Sequence, residues 1–265
     1  MGCIMLKITS RNNEKIKNAA KLGTDSSYRR KTGMFFLEGL RLCCDAAENG
    51  IEPESVFVTE TALEKYGEEL NVLFSASKEN YIITDEISDK ISDTKNAQGV
   101  FCVCKTLDKF SNIDKINNNG IYIAVENIQT PDNLGAVART AEALGLDGMI
   151  VSGGCDIYNP KALRAAMGSL LRLAVFSVSD LPSFIENCNG SGMNTYAAVP
   201  AADAVPVTEI DKSKGMICVV GNEGNGLTEK TISSCSSKIT IPMKGRAESL
   251  NASAAACMIM WEMVR

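Results

Sequence analysis

The chain has 265 residues, of which 45% are hydrophobic and 22% are charged, and its formal net charge is −5. These values are typical of a globular protein, and the length allows one large domain or two of ordinary size. No apolar run is long enough to span a bilayer, the N-terminus has no secretory signal pattern, and the 10 cysteines lack zinc-ligand spacing. The sequence therefore predicts a cytosolic protein without a membrane segment, a metal site or a disulfide framework.

Histidine is absent from the sequence. Its absence excludes hydrolases that use Ser-His-Asp or Cys-His pairs, metals held by histidine, and histidine proton shuttles. Any proton transfer in this protein must therefore use a carboxylate, Lys, Tyr, Cys, an unusual Arg, or water.

The first half of the chain contains short segments rich in β-branched and aromatic residues, which predict strands at 34–37, 54–59, 80–83 and 98–104. Helical patterns fall between them, notably at 38–49, where Gly50 ends the pattern. Residues 105–119 are polar and end in a run of Asn before Gly120, which is typical of a linker.

Charge is unevenly distributed along the chain. Residues 1–45 contain nine Lys and Arg against four acids, so this segment carries +5 and the remainder carries −10. A basic segment on an acidic body is typical of a local phosphate-binding surface. A solvated helix face gives the same pattern, so charge alone does not decide between the two.

After the predicted linker, strand and helix patterns alternate. This alternation predicts βαβ units and a mostly parallel sheet that is covered on both faces. The predicted strands are 121–125, 148–152, 173–178, 194–199, 216–220 and 238–241, and the predicted helices are 133–144, 160–170, 180–188, 226–234 and 250–264.

Three motifs in this half carry the functional information. They are NIQTPDNLGAVARTA at 127–141, VGNEGNGL at 220–227, and IPMKG at 241–245 continuing to ESLN at 248–251. Taken alone, each is a strand-to-helix turn in which Asn and Ser residues cap helices and glycines make tight turns. The second motif is neither a dinucleotide-binding fingerprint nor a P-loop, because no Lys-Ser or Lys-Thr pair follows its glycines.

In this order and spacing, the three motifs resemble the signature motifs of the SpoU/TrmH family of RNA ribose 2′-O-methyltransferases, in the SPOUT superfamily. The resemblance implies an α/β domain with a deep trefoil knot, a rare exception to unknotted topology. It implies S-adenosyl-L-methionine as cofactor, held by knot loops near 195–201, 221–226 and 241–250. It also implies a homodimer formed in part by the last helix, whose apolar stripe is otherwise typical of core packing.

The resemblance also implies the roles of individual residues. Arg139 would act on the target nucleotide, either as a base or by clamping its phosphate, and positioning with electrostatic support is favoured because a guanidinium keeps its proton at neutral pH. Glu223 would orient Arg139 or the ribose. The implied catalytic residues are Asn133, Arg139, Glu223, Ser249 and Asn251, and the implied cofactor-binding residues are Gly221, Ile241, Leu250, Ala198 and Val199.

The first half resembles the ribosomal-protein-like substrate-binding domain that precedes many SpoU methyltransferase domains. This second resemblance rests on RRKTGMFFLEGLRL at 29–42 and on QGV at 98–100. The sequence thus predicts a small α/β RNA-binding domain at 1–106, a linker at 107–119 and a SPOUT methyltransferase domain at 120–265. The predicted RNA-binding residues are Arg29, Arg30, Lys31 and Arg41.

Together these resemblances imply methyl transfer to a ribose 2′-hydroxyl of structured RNA, with 23S-type ribosomal RNA expected as the substrate and no metal required. Transfer RNA is the alternative substrate. A non-catalytic RNA-binding assembly or resistance factor on the same fold is an alternative from another class, against which the complete set of implied catalytic residues argues. A nucleotide-dependent oxidoreductase is a further alternative, and the missing dinucleotide fingerprint argues against it.

Overall fold

The computed structural model describes residues 5–107 and 116–265. The chain divides into two compact units. The first comprises Met1–Leu107 and Asp156–Leu171, and the second comprises Asp108–Cys155 and Arg172–Arg265. Most of the predicted linker, residues 108–115, lies outside the described residues.

The first unit is built on a five-stranded sheet with strand order β1-β4-β3-β5-β2. β4 is parallel to both of its neighbours, whereas β5 is antiparallel to β3 and β2. Four of the strands confirm the predicted segments to within two residues, whereas β1 lies at the sheet edge with a mostly exposed surface and has no clear sequence pattern. The strands are β1 Met5–Ile8, β2 Met34–Glu38, β3 Pro53–Thr59, β4 Asn80–Ile83 and β5 Val100–Lys105.

Six helices connect or precede these strands within residues 5–107, and four of them begin at a side-chain cap. Asn13, Asp25, Thr59 and Thr84 each accept a hydrogen bond from a backbone N–H of the first turn, which satisfies a donor that the helix itself cannot use. The helices are α1 Glu14–Thr24, α2 Ser26–Thr32, α3 Leu40–Glu48, α4 Glu60–Tyr66, α5 Asn71–Ala76 and α6 Asp85–Ile91.

The second unit contains a seven-stranded sheet with order β10-β12-β9-β11-β6-β7-β8, in which every pair of neighbours is parallel. The central strand β11 is buried along its whole length, as expected for a sheet with both faces covered. The predicted parallel sheet is confirmed. Its strands are β6 Ile121–Glu126, β7 Gly148–Ser152, β8 Val175–Ser177, β9 Asn194–Ala198, β10 Val205–Pro206, β11 Met216–Val220 and β12 Ser237–Thr240.

Helices cover both faces of the parallel sheet. α12 packs on α7 and contacts β6 and β11, while α10 packs on α11 and β9. Tyr122 and Ala124 of β6 share a buried cluster with Leu181 and Ile185 of α10, and the alternating residues of the same strand face the other side. The helices are α7 Pro131–Ala143, α10 Leu181–Gly190, α11 Glu229–Ser234 and α12 Ala252–Val264.

Residues 156–171 leave the second unit and pack into the core of the first. They form α8 Pro160–Ala165 and the start of α9 Ser169–Arg172, where the sequence predicted one continuous helix. The break lies at Met167 and Gly168, which both have positive φ angles. Nε of Arg29 lies 2.7 Å from Oδ2 of Asp156, and both side chains are largely buried. This segment is therefore a structural part of the first unit.

Within the described ranges, no helix has both the length and the apolar composition needed to cross a membrane.

Candidate active site

Three loops of the second unit extend from the carboxyl ends of parallel strands. Residues 127–130 follow β6, residues 221–228 follow β11, and residues 241–251 follow β12. β6 and β11 are neighbours, and β9 separates β11 from β12. Because parallel strands end at the same edge of a sheet, the three sequence motifs meet at this edge.

A cavity of about 590 Å³ lies between the second and third of these loops and residues 198–200 at the end of β9. It is lined by both apolar side chains and backbone, which is typical of a small-molecule site. All five predicted cofactor residues, Ala198, Val199, Gly221, Ile241 and Leu250, contribute to its lining. The structure thus brings these residues together, and their role in cofactor binding stays a prediction.

Gly221 is required by the loop that follows it. A Cβ atom at this position would overlap the backbone of Gly226 and Leu227. Asn222 and Gly226 exchange two backbone hydrogen bonds of 3.0 Å, which draw the ends of the loop together. The resemblance places Gly221 among the cofactor-binding residues, and the structure adds a close approach between two parts of the same loop.

The carboxylate of Glu223 joins this loop to the start of α7. It accepts hydrogen bonds from the backbone N–H groups of Gln129 and Thr130, both at 3.1 Å, and from the Thr130 hydroxyl at 2.8 Å. The side-chain amide of Asn133 donates a fourth bond at 2.8 Å. Burial raises the pKa of Glu223, but the hydrogen bonds outweigh it and lower the pKa to about 2. Glu223 is therefore ionised at neutral pH.

Asn133 links Glu223 to the third loop. Its side-chain oxygen accepts a hydrogen bond of 3.1 Å from the amide of Asn251. The oxygen of Asn251 in turn accepts from the backbone N–H groups of Ser253 and Ala254, so this residue is the N-cap of α12. Three of the five predicted catalytic residues, one from each motif, therefore form one hydrogen-bonded chain.

Arg139 and Ser249 stand apart from this chain. Arg139 is exposed on α7 and makes no hydrogen bond or ion pair with any of the described residues, so Glu223 does not hold it. Ser249 is exposed and lines the cavity. The guanidinium of Arg139 is thus available to an anionic ligand.

Comparison with known proteins agrees with this geometry. A model of the SpoU rRNA Methylase family matches residues 120–261, which is more than half of the chain. The chain belongs to the SpoU rRNA methylase family. A model of the MRM3-like substrate binding domain matches residues 13–102. Both resemblances found in the sequence are thereby confirmed.

Two curated members of the SpoU family match almost the full length of the chain. The 23S rRNA (guanosine(2553)-2′-O)-methyltransferase RlmP of Bacillus subtilis is 29% identical over 261 residues, covering 98% of this chain and 99% of the relative. The 23S rRNA (uridine(2479)-2′-O)-methyltransferase of Streptomyces viridochromogenes is 28% identical over 269 residues, covering 98% and 92%. These two enzymes modify different nucleotides of 23S rRNA.

A solved structure shares the whole fold. The AdoMet-bound rRNA methyltransferase from Sinorhizobium meliloti is 25% identical, superposes with a TM-score of 0.85, and is matched over 98% of this chain and 97% of that chain. This likeness confirms the predicted fold class, an N-terminal α/β domain followed by a SPOUT methyltransferase domain.

In this SpoU family member, the surroundings of Arg29 contradict its predicted contact with RNA. Arg29 is 3% exposed, and its guanidinium donates to Asp156 and to the carbonyl oxygen of Leu22, both at 2.7 Å. A buried and paired guanidinium cannot face a phosphate, so Arg29 has a structural role. Arg30, Lys31 and Arg41 are exposed, and their contact with RNA stays a prediction.

Two contacts at the site have no counterpart in the sequence-based prediction. The side-chain amide of Asn222 donates to the carbonyl oxygen of Asn127 at 2.8 Å, which ties the second loop to the first. Glu126 is buried at the end of β6 and accepts hydrogen bonds from α11 and its N-cap. A carboxylate that ends an otherwise apolar strand was the available signal for Glu126. Within the described part of the chain, no group of three His, Cys, Asp or Glu residues could hold a metal ion.

Proposed function

We propose that this protein transfers a methyl group from S-adenosyl-L-methionine to a ribose 2′-hydroxyl of structured RNA, and that this RNA is 23S-type ribosomal RNA. The observation that carries the proposal is the meeting of the three SpoU motifs at one edge of the sheet, where the second and third line a cavity of about 590 Å³ and the first is hydrogen-bonded to both. Glu223 lines that cavity and accepts a hydrogen bond from Asn133. Asn133 in turn accepts a hydrogen bond from Asn251. The likeness to AdoMet-bound and 23S rRNA-modifying relatives supports the same conclusion.

The residues that line the cavity fit the proposed cofactor. Ile241, Leu250 and Val199 offer apolar surface for an adenine ring, and the backbone of the loops that line the cavity offers donors and acceptors for its edge. When bound, S-adenosyl-L-methionine supplies an electrophilic methyl group.

In the proposed mechanism, the chain contributes positioning and electrostatic support. Arg139 binds the target phosphate and stabilises the negative charge that builds on the ribose oxygen. Glu223 keeps the first two loops in register, and its pKa of about 2 makes it a poor proton acceptor at neutral pH. Because the chain contains no histidine, the hydroxyl proton leaves late and passes to water.

The first unit would hold the RNA through exposed cations that lack an acidic partner. Lys7, Lys15 and Lys17 are each paired with a glutamate, so their charges are largely compensated. Arg30 and Lys31 have no ion pair among the described residues. Phosphate contacts of this kind are sequence-independent and suit an A-form helix, whose accessible groove displays 2′-hydroxyls.

Neutralising this surface should weaken RNA binding and its dependence on salt. We expect Arg30→Ala/Lys31→Ala to lower the slope of log affinity against log salt by roughly one to two, because each phosphate contact contributes about 0.7 to 0.9. Lys15→Ala/Lys17→Ala removes the same formal charge from paired lysines and is the matched control. Equal slopes for the two double variants, measured by filter binding to a ribosomal RNA fragment, would locate the RNA surface elsewhere.

The proposed assembly is a homodimer formed through α12. Its buried face packs in the core, whereas Met258 and Trp261 are 47% and 56% exposed on the opposite side. Exposed large apolar residues on one helix face are typical of an interface. We expect Trp261→Asp to convert a dimer into a monomer in sedimentation velocity. Leu6→Asp, which changes an equally exposed residue of β1, should leave the dimer unaltered; a monomeric wild-type protein would contradict the assembly.

The trefoil knot and a cytoplasmic location are also part of the proposal. β12, the last strand in the chain, lies between β9 and β10 rather than at an edge, which supports insertion of the C-terminal segment among earlier elements. A cytoplasmic location is where ribosomal RNA would be met.

The direct test is methyl transfer from labelled S-adenosyl-L-methionine to deproteinised 23S rRNA, followed by mapping of 2′-O-methyl sites. The substrate RNA is purified from cells that lack the protein. A 2′-O-methyl site that appears only after incubation with the protein supports the proposal. Methylation of transfer RNA but not of 23S rRNA would identify transfer RNA as the substrate instead. Cofactor binding without transfer to any RNA would favour a non-catalytic RNA-binding factor, and binding of NAD instead of the methyl donor would favour an oxidoreductase.

A further inference from the structure

Glu126 is a buried carboxylate that the proposed mechanism does not use. It is 5% exposed and accepts hydrogen bonds from the backbone N–H of Thr228 at 2.8 Å, its hydroxyl at 2.9 Å, and the hydroxyl of Thr231 at 2.6 Å. Within residues 5–107 and 116–265, no Lys or Arg pairs with it. Its negative charge is therefore held by neutral donors and is poorly screened by water.

This carboxylate is hydrogen-bonded to the segment that forms one wall of the cavity. Thr228 stands between Leu227 and Glu229, and Thr231 precedes Ile232; these three neighbours line the cavity. On the adjacent strand, Val220 also lines the cavity and is in register with Val125, the residue before Glu126. The hydrogen bonds of Glu126 thus fix Thr228 and Thr231, whose chain neighbours line the cavity.

The remaining charges of the lining have the same sign. Glu223, Glu229 and Glu248 are the ionisable side chains among the described residues that line the cavity, and none of the lining residues is Lys or Arg. All three are exposed, so water and salt screen them. Glu126 does not line the cavity, and unlike these three acids it is shielded from solvent.

The proposed cofactor and its product differ in charge at one atom. When the methyl group passes to the 2′-oxygen, the S–C bonding pair stays on sulfur, the positive sulfonium becomes a neutral thioether, and the hydroxyl proton goes to water. A buried negative charge stabilises the cationic ligand more than the neutral one.

We propose that Glu126 makes the cavity selective for the cationic methyl donor over its neutral thioether product, which favours product release after each transfer. This inference rests on the proposed function and adds a residue that determines ligand selectivity. Glu126 acts through its field and through Thr228 and Thr231, without touching the ligand.

The test is a ratio of affinities measured by calorimetry. For the wild-type protein and for Glu126→Gln, the dissociation constants of S-adenosylmethionine and S-adenosylhomocysteine are compared. We expect Glu126→Gln to weaken binding of S-adenosylmethionine by about tenfold, which is the scale of removing one partly screened charge. Binding of S-adenosylhomocysteine should weaken by less than about threefold. Glu126→Asp keeps the charge and should keep the ratio. Glu142→Gln removes one charge from a half-buried pair with Arg172 outside the cavity lining and is the matched control.

A ratio that is unchanged in Glu126→Gln overturns the inference, including the case in which both affinities fall together, because loss of wall structure alone gives that result. If this variant does not fold, a measurement on the wild-type protein can still test the inference. An adenosyl analogue with a protonated amine in place of the sulfonium should bind more tightly than the thioether, and equal binding would overturn the inference. If no adenosyl ligand binds the wild-type protein, the proposed function fails as well. Normal RNA methylation with an unchanged ratio removes only this inference.

Discussion

Replacing Arg139 with alanine is expected to lower methyl transfer to RNA by roughly 10²-fold or more, the scale of losing an electrostatic contact at a reacting centre. The side chain is exposed and has no hydrogen bond or ion pair with the described residues, so its loss should not affect the fold. The measurement is single-turnover transfer of a labelled methyl group, with thermal unfolding and cofactor affinity measured in parallel. Both of these should match the wild-type values.

Two further variants sharpen this prediction. Arg139→Lys keeps the charge but loses the planar fork that binds a phosphate with two hydrogen bonds, so it should recover only part of the rate. Lys212→Ala removes an exposed cation elsewhere in the second unit and should have no effect. Near-normal turnover in Arg139→Ala would remove this residue from the mechanism.

Gly221→Ala is expected to weaken cofactor binding by roughly 10- to 100-fold, because forcing extra atoms into a closely packed site costs about 1 to 3 kcal/mol. The added Cβ would overlap the backbone of Gly226 and Leu227, and backbone cannot rotate away as a side chain can. The loop must therefore open, which changes the wall of the cavity. Calorimetric titration with S-adenosyl-L-methionine measures the effect.

The same loop offers a matched control for this variant. A Cβ at Gly224 would approach only the side chain of Asn222, at 3.5 Å, so Gly224→Ala should bind the cofactor nearly as well as the wild-type protein. Equal affinities for the two alanine variants would show that the closure of the loop at Gly221 does not shape the cofactor site.

The sequence predicted the regular elements of the fold well, because these depend on local patterns. Strand β11 is an apolar run of five residues between Gly215 and Gly221, and such a run is recognisable without any tertiary information. Helix α11 was placed too early, at 226 instead of Glu229, because the sequence does not show that Gly226 has a positive φ angle and belongs to the preceding loop.

The sequence placed the catalytic candidates in the three motifs, but it did not predict the contacts between them. Glu223 was expected to orient Arg139 or the ribose, whereas it accepts four hydrogen bonds from the start of α7. These bonds join residues 90 to 94 positions apart in the chain, so no local pattern encodes them. The prediction that Arg29 binds RNA was wrong for the same reason, because its ion-pair partner Asp156 lies 127 residues away in the chain.

Residues 156–171 belong to the first unit although they lie far from it in the sequence, and this limits how the protein could have exchanged domains with its relatives during evolution. Recombination at residue 107 would transplant Arg29 and Glu38 without Asp156 and Arg164, their ion-pair partners. Stranding one member of a buried ion pair costs about 3 to 5 kcal/mol, a large part of the stability of a small domain. A chimera with a new RNA specificity would therefore have to inherit both stretches together, so the target-recognition half of this chain is not a freely interchangeable cassette.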